Sequence, residues 1–389
     1  MIYKRKIKTN KRLAIIFSGD FPEGNTKNAR IKTIATSLLA EDWKSTFVSV
    51  FPTKFSSAIQ TSQPRQWSGF DIVCTCISRK YLQPKILRYA QIISGQLGLL
   101  IWILCTSFKY DAYYFYCPRF TDTILGLRLL KVLQKKIVVD QTELFSSESK
   151  SLLHTKEEEW IVKYSDVLLV ISKRLYSHFA SFKPRDLFIF PILIDHNRFA
   201  IDREEIPYTM GYIGSFAEKD NVKLLLEATS LLVLKYPKLS LRLIGYNPNM
   251  QELKRTIMDM DIEKNVEVTG TVAYEDVPWL LKECDTLLMN RGESDFATYG
   301  YPIKLGEYFT CSKPVIMSDG IGFSDDFTHR KEVYKYTVGN ANALAETVAY
   351  RYQNIEESNA VALRGYEYSK DYFASSKLVP HLANMLNQL

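Results

Sequence analysis

Short, nearly continuous apolar runs recur along the chain and limit what it can fold into. "LAIIFS", "STFVSVF", "FDIVCTC", "AYYFYC", "KIVVDQ" and "DVLLVIS" follow one another through the first half, separated by helical or irregular stretches. A strand that is apolar at successive positions has both faces covered, and strands joined by helices run parallel through crossover connections. The pattern restarts after "LFIFPILIDHNRFAIDREEIP", where "MGYIGSF", "LSLRLIG", "VEVTG", "TLLMN" and "PVIMSDG" alternate with segments such as "VKLLLEATSLLVLKYP" that carry apolar residues at helical spacing. A chain of 389 residues is too long for one comfortable core. Two doubly wound, Rossmann-like α/β domains are therefore expected, over residues 1–203 and 204–370.

The charge is divided just as unevenly as the chain. Residues 1–200 carry 30 Lys and Arg against 16 Asp and Glu, whereas residues 201–389 carry 20 against 27. A basic first domain suits an anionic partner, either a membrane surface or a nucleic acid. No nucleic-acid recognition motif accompanies the charge. The run "LGLLIWILCTSF" at 97–108 is the most apolar, yet falls short of the ~20 residues a spanning helix needs. It reads either as a buried helix or as an interfacial membrane patch.

Six Cys form neither a disulfide framework nor a metal-ligand spacing, which favours a reducing, cytoplasmic setting. The N-terminus is basic, but "LAIIF" is too short for the apolar core of a signal peptide. "DMD" at 259–261 reads as a solvated helix end, and the five His show no ligand pairing, so no metal is expected.

In open α/β domains, ligands bind outside the carboxyl ends of the strands. In the second half those ends read "GSFAEKD", "GYNPN", "GTVAYED", "NRGESDFATYG" and "SDGIG", where glycine and small polar residues let helix amides receive a phosphate. "YIGSFAEKDNVKLLLEA", "LRLIGYN", "NVEVTGTVAYEDVPWLLKECDTLLMNR" and "GYPIKLGEYFTCSKPVIMSDG", in this order, resemble glycosyltransferase family 4. "FSGDFPEGNTKNARIKTIATSLLAEDW" and "DVLLVISKRLYSHF" followed by "PILIDHNRF" resemble that family's first domain more faintly. The resemblance implies a GT-B fold, with two Rossmann-like domains facing a cleft and a final helix, about 371–389, returning to the first. It also implies transfer of a sugar from a nucleotide diphospho-sugar, UDP- or GDP-linked, with retention and without a metal or other cofactor.

Residue roles carried over from the family fall mainly in the second domain. Glu307 stands where a motif glutamate binds the ribose hydroxyls, a role that suits a carboxylate accepting two O–H bonds; the plain alternative is a helix-dipole acid. The motif's first glutamate would lie eight residues earlier, and that position is Tyr299. The motif is thus half present, leaving main chain around Thr298–Tyr301, or Glu293 or Asp295, to meet the sugar. Lys304 either donates to ribose or phosphate or pairs with Glu307 across one turn. Arg291 follows the "TLLMN" strand into the same crevice. Lys219, after Gly214 and Ser215, would steady the diphosphate, a burden increased because the family's arginine is here Ser215. Gly245, Val272, Tyr301 and Pro302 complete the second-domain donor candidates.

In the first domain, Gly24 and Asn25 lie on a loop whose amides would cover the diphosphate. Arg30 would face an anionic acceptor. The family's histidine is absent from "VVDQTELF", where Glu143 is the best replacement and Asp140 the runner-up. Glu143, Lys219 and Arg291 are the candidate catalytic groups. The expected partners are the donor, a saccharide or lipid-linked glycan acceptor, and an anionic membrane surface. A nucleotide-sugar 2-epimerase of the same fold and a non-catalytic nucleotide-sugar-binding subunit are the rivals.

Overall fold

The computed structural model describes residues 11–22, 26–51, 65–78, 82, 85–144, 146, 152–246, 249–292 and 299–389, with the side chains of Thr26 and Lys219 excepted. The loop carrying Gly24 and Asn25 and the loop carrying Glu293, Asp295 and Thr298 lie outside these residues. The chain divides into two units, Met1–Pro191 with Ser375–Leu389, and Ile192–Ala374.

The first unit is built on an eight-stranded sheet in the order β3-β4-β2-β1-β5-β6-β7-β8. The strands are β1 (Lys11–Phe17), β2 (Trp43–Ser49), β3 (Gln66–Trp67), β4 (Phe70–Cys74), β5 (Ala112–Tyr116), β6 (Lys136–Gln141), β7 (Val167–Val170) and β8 (Leu187–Ile189). All pair in parallel except β3 with β4. Leu13 to Phe17 of β1 are fully buried, as a strand covered on both faces requires. Helices α1 (Thr26–Leu38), α2 (Lys85–Thr106), α3 (Ile124–Val132), α4 (Leu152–Tyr164) and α5 (Lys173–Ala180) make the crossovers.

Helix α2 continues through a 3-10 turn to Lys109 and, by length and composition, is apolar enough to cross a membrane. That corrects the expectation of a run too short to span. The consecutive apolar residues begin at Leu97, but "KILRYAQIISGQ" before them interleaves polar residues without leaving the helical period.

The second unit has a six-stranded sheet in the order β11-β10-β9-β12-β13-β14. Its strands are β9 (Ile206–Gly214), β10 (Ser240–Gly245), β11 (Val266–Gly270), β12 (Cys284–Met289), β13 (Val315–Asp319) and β14 (Tyr334–Thr337), all parallel. Its helices are α6 (Val222–Val233), α7 (Met250–Asp259), α8 (Val277–Glu283), α9 (Ile303–Thr310), α10 (Ala341–Gln353) and α11 (Ile355–Tyr372). Leu224, Leu225, Leu241, Leu243, Leu288 and Ile316 are among its core residues.

The boundary lies earlier than the sequence suggests, because residues 192–203 are bound into the second unit. A Cβ on Gly306 of α9 would lie 2.6 Å from the Ile194 side chain, so the missing side chain lets α9 lie on that segment. Arg203 pairs with Glu283 at 2.6 Å. At the other end, Ile194 bridges Ala374 and its N–H donates to the Phe373 carbonyl at 2.8 Å. The last helix, α12 (Ser375–Gln388), packs on α1 in the first unit, and Asn387 accepts from Lys11 at 2.5 Å and from the Trp43 indole at 3.3 Å.

Candidate functional site

The strand order of the second unit reverses between β9 and β12, and a crevice at the carboxyl ends of such a pair is the usual ligand position. Gly214 ends β9, Asn290 and Arg291 follow β12, and Gly245 ends the neighbouring β10, in register with Gly214. Gly245 has φ +138°, and a Cβ there would lie 1.9 Å from the Gly214 carbonyl oxygen. Only glycine fits at that position. At Gly214 a Cβ would meet the Tyr212 hydroxyl at 2.6 Å and Lys304 Nζ at 3.1 Å. The glycine leaves room for that lysine.

Lys304 does not form an ion pair with Glu307. Its ammonium donates to the Tyr212 hydroxyl at 2.7 Å and to Asp220 at 3.1 Å. Asp220 is buried, in a 3-10 turn at Glu218–Asp220 that also contains Lys219. Asn290 holds that turn by donating to the carbonyls of Asp220 and Asn221 at 2.9 and 2.8 Å, and its own amide oxygen accepts from Tyr336. Burial pushes the Tyr212 hydroxyl well above its ordinary pKa, and the Asp220 carboxylate adds to the shift.

Arg291 is buried beside this group. Its backbone N–H donates to Ser318 Oγ at 3.1 Å, while its Nε has no hydrogen-bond partner. Burial pulls the pKa of the guanidinium down, against the fields of Asp220 and Tyr212. A buried guanidinium nitrogen without a partner is a position that an anion can satisfy.

Glu307 is buried on α9, which Pro302 precedes in extended conformation. Its carboxylate accepts from Arg198 Nη1 at 2.8 Å, and the Arg198 guanidinium lies 3.4 Å from the centre of the Tyr274 ring. Burial pushes the Glu307 carboxyl above its ordinary range, while the Arg198 charge and hydrogen bond and the Lys304 charge oppose the rise. Arg198 is set by the 3-10 turn His196–Phe199, capped by Asp195, whose carboxylate accepts from the Asn197 N–H at 3.0 Å.

The switch point thus assembles Gly214, Gly245, Arg291, Lys304 and Glu307. Tyr301 packs on Phe323 and Phe373, Tyr299 and Val272 are half-buried, and Ser215 is exposed. Sequence reasoning missed Tyr212, Asp220, Arg198 and Tyr274. The one acid and one base among them, Asp220 and Arg198, look like any surface charge in sequence, because their partners lie many residues away.

In the first unit, Arg30 and Asp140 belong together rather than facing a ligand. Asp140 has no exposed surface; its carboxylate accepts from Arg30 at 2.6 and 3.0 Å and from the Tyr114 hydroxyl at 2.5 Å. Arg30 also donates to the carbonyls of Pro191 and Phe190 at 2.5 and 2.8 Å. These bonds give both groups internal partners, and nothing in their geometry supports reading them as acceptor contacts. Glu143 lies just past β6, half-buried, and its charge adds to the burial that pushes the Cys117 thiol up to about 12. Lys27, unremarked in sequence, donates to the Ser18 carbonyl at 2.5 Å, and burial pulls its pKa down to about 8. A cavity of about 450 Å³ lined by Lys131, Lys163, Lys183 and Arg185 opens near the amino-terminal ends of β7 and β8, away from the carboxyl-end chemistry.

Comparison with known proteins adds likenesses to this geometry. Residues 194–368 match the family described as "Glycosyl transferases group 1". The amylovoran biosynthesis glycosyltransferase AmsK of Erwinia amylovora is 27% identical over 231 residues, 56% of this chain and 56% of that protein. The putative colanic acid biosynthesis glycosyltransferase WcaL of Salmonella typhimurium is 23% identical over 276 residues, 69% of this chain and 68% of that protein. The chain thus matches little more than half the length of the first relative. HepE of Anabaena, solved with UDP, superposes with a TM-score of 0.75 at 14% identity, over 97% of this chain and all of that one. The fold is therefore the two-domain GT-B fold, and residues 194–368 are the stretch that resembles the group 1 glycosyl transferases.

Proposed function

We propose that the chain is a member of glycosyltransferase family 4 that transfers a sugar, with retention, from a nucleotide diphospho-sugar to a saccharide or lipid-linked acceptor during surface glycan assembly. The observation that carries this reading is the convergence of an incompletely bonded buried Arg291 and a buried Glu307 carboxylate at the switch point of the second sheet. HepE, of the same fold, has been solved with UDP and with UDP-glucose. The relatives named for amylovoran and colanic acid synthesis support the pathway class.

In this reading Glu307 accepts the two ribose hydroxyls, with Arg198 keeping the carboxylate charged and oriented. Arg291, Lys219 and the first amides of α9 receive the diphosphate. Gly214 and Gly245 admit the nucleotide backbone, and Ser215, Val272, Tyr299, Tyr301 and Pro302 line the donor. Glu143 serves the acceptor side. The acceptor oxygen bonds to the anomeric carbon as its bond to the leaving phosphate breaks. The acceptor's proton passes to that phosphate, so no protein nucleophile or metal is needed. The donor is a UDP- or GDP-sugar, and the chain works in the cytoplasm at an anionic membrane surface.

The test is nucleotide release from UDP- and GDP-sugars, with and without a lipid-linked acceptor and with a chelator present. Release that needs acceptor and ignores chelator is expected. A donor bound without turnover would indicate the binding subunit, and a changed free sugar the epimerase.

Two further outcomes follow from the geometry. Arg291→Gln keeps the size but removes the charge, and is expected to weaken UDP binding at least tenfold while flattening its salt dependence, as read by calorimetry at two ionic strengths. Nucleotide affinity is also expected to fall on acidification at a pH above the ordinary glutamate range, because the carboxyl of Glu307 is raised by burial and accepts hydroxyls only when ionised. The sign for folding is opposite. Glu307 ionises later in the folded chain than in the unfolded one, so its contribution to stability weakens as pH rises from the ordinary glutamate value through the raised one.

A further inference from the structure

Helix α2 has two faces with different fates. Gln91, Gly95, Leu99 and Ile103, four apart, are buried. A Cβ on Gly95 would lie 2.5 Å from the Val50 carbonyl oxygen and one on Gly98 1.9 Å from that of Thr75, so the helix backbone sits directly on the sheet's loops. Thr75 Oγ1 donates to the Gly95 carbonyl at 2.9 Å, Gln91 to that of Ser78 at 3.0 Å, and Gln96 to that of Phe120 at 3.0 Å. These bonds fasten the helix to the first unit along its length.

The opposite face is bare. Ile86 is 74% exposed, Ile93 59%, Leu97 56%, Ile101 62%, Leu104 59% and Phe108 75%. Between Lys85 and Lys109 every exposed residue is apolar. At 100° per residue these positions centre opposite the buried stripe, and they extend for about 33 Å. A monomer in water rarely leaves so long an apolar strip uncovered.

We infer that α2 lies lengthwise in the interface of an anionic lipid bilayer, its bare face among the upper acyl chains. Lys85, Arg88 and Lys109 flank the strip, and no acid occurs from residue 85 to 109. Two copies pairing through this face, in either direction, would set cation against cation, whereas anionic headgroups meet both ends. The helix does not span the bilayer, because leaving the sheet would strand the Gln91, Gly95 and Gln96 bonds and expose the buried stripe. The purpose of this docking rests on the proposed lipid-linked acceptor, since it brings the first unit to a membrane where such an acceptor is held.

The test is flotation of the full chain with vesicles of phosphatidylcholine, alone or with 30% phosphatidylglycerol (about a third of the lipid being anionic, to match the polybasic attraction). At least tenfold more protein is expected to float with the anionic vesicles, with salt reducing the difference. Leu97→Glu with Ile101→Glu changes only exposed positions and is expected to abolish flotation while UDP binding stays unchanged. Equal flotation of the double variant, or no flotation of the native chain, overturns the inference. So does a solution dimer that these substitutions dissociate. Lipid binding and sugar transfer are read separately: a chain that floats but transfers nothing removes the catalytic reading, and one that transfers without floating removes the role of α2.

Discussion

Glu307→Gln is expected to weaken UDP binding about 10- to 100-fold, with the fold retained. Hydrogen bonds to a charged group contribute roughly 1.5–3 kcal/mol, and an amide can accept from only one ribose hydroxyl and meets the second with a neutral N–H donor, so both charge-assisted bonds are lost. The amide also fits the same space beside Arg198. Alanine would be a poorer test, because it leaves the Arg198 guanidinium, now 2.8 Å from the carboxylate, without its partner. Breaking a largely buried pair from one side costs on the order of 3–5 kcal/mol, so an alanine variant confounds binding with stability. Calorimetric titration with UDP, accompanied by a melting curve, separates the two. Unchanged affinity in a folded Gln variant would remove the ribose role.

Asp140→Ala is expected to act on stability instead. The carboxylate has no exposed surface and answers three donors, two from Arg30 and one from Tyr114. Its loss leaves a buried guanidinium uncompensated, at a cost of about 3–5 kcal/mol. For a unit of this size that corresponds to a melting point lower by roughly 6–20 °C. UDP affinity, measured well below the transition, should not change, because the residues proposed to hold the nucleotide belong to the second unit. A variant that melts normally but fails only with acceptor would restore Asp140 to the ligand side.

Much of the fold was legible because it depends on local pattern. The runs from "LAIIFS" to "PVIMSDG" became parallel strands, since continuous apolarity and intervening helices leave few other arrangements. Short strands escaped: β14, "YKYT", alternates too briefly to stand out, and its place at the sheet edge comes from pairing with β13. The glycines at 214 and 245 were visible as strand-end signals, but their reason, one backbone pressed against the next, exists only in register.

Side-chain partnership was the least legible layer. Lys304 and Glu307 share a helical face, and the turn spacing favours their pairing. In the folded chain Asp220 and Arg198, distant in sequence, claim one each. The same blindness made Arg30 and Asp140 look like two ligand groups when each is the other's counterion. Charge spacing along a chain reports neighbours on one element and is silent about partners across several.

The pairing of Ile194 with Ala374 gives the chain a nested grammar. The second unit opens and closes beside itself, like a parenthesis inside the sentence of the first, whose last phrase is α12 resting on α1. Such an insert can be exchanged between chains as one contiguous cassette, its two cut ends already adjacent. A nonsense codon just before Ser375, by contrast, would delete none of the residues proposed to hold the nucleotide yet leave the first unit unfinished. The last fifteen or so residues therefore guard the stability of the half of the chain that was made first.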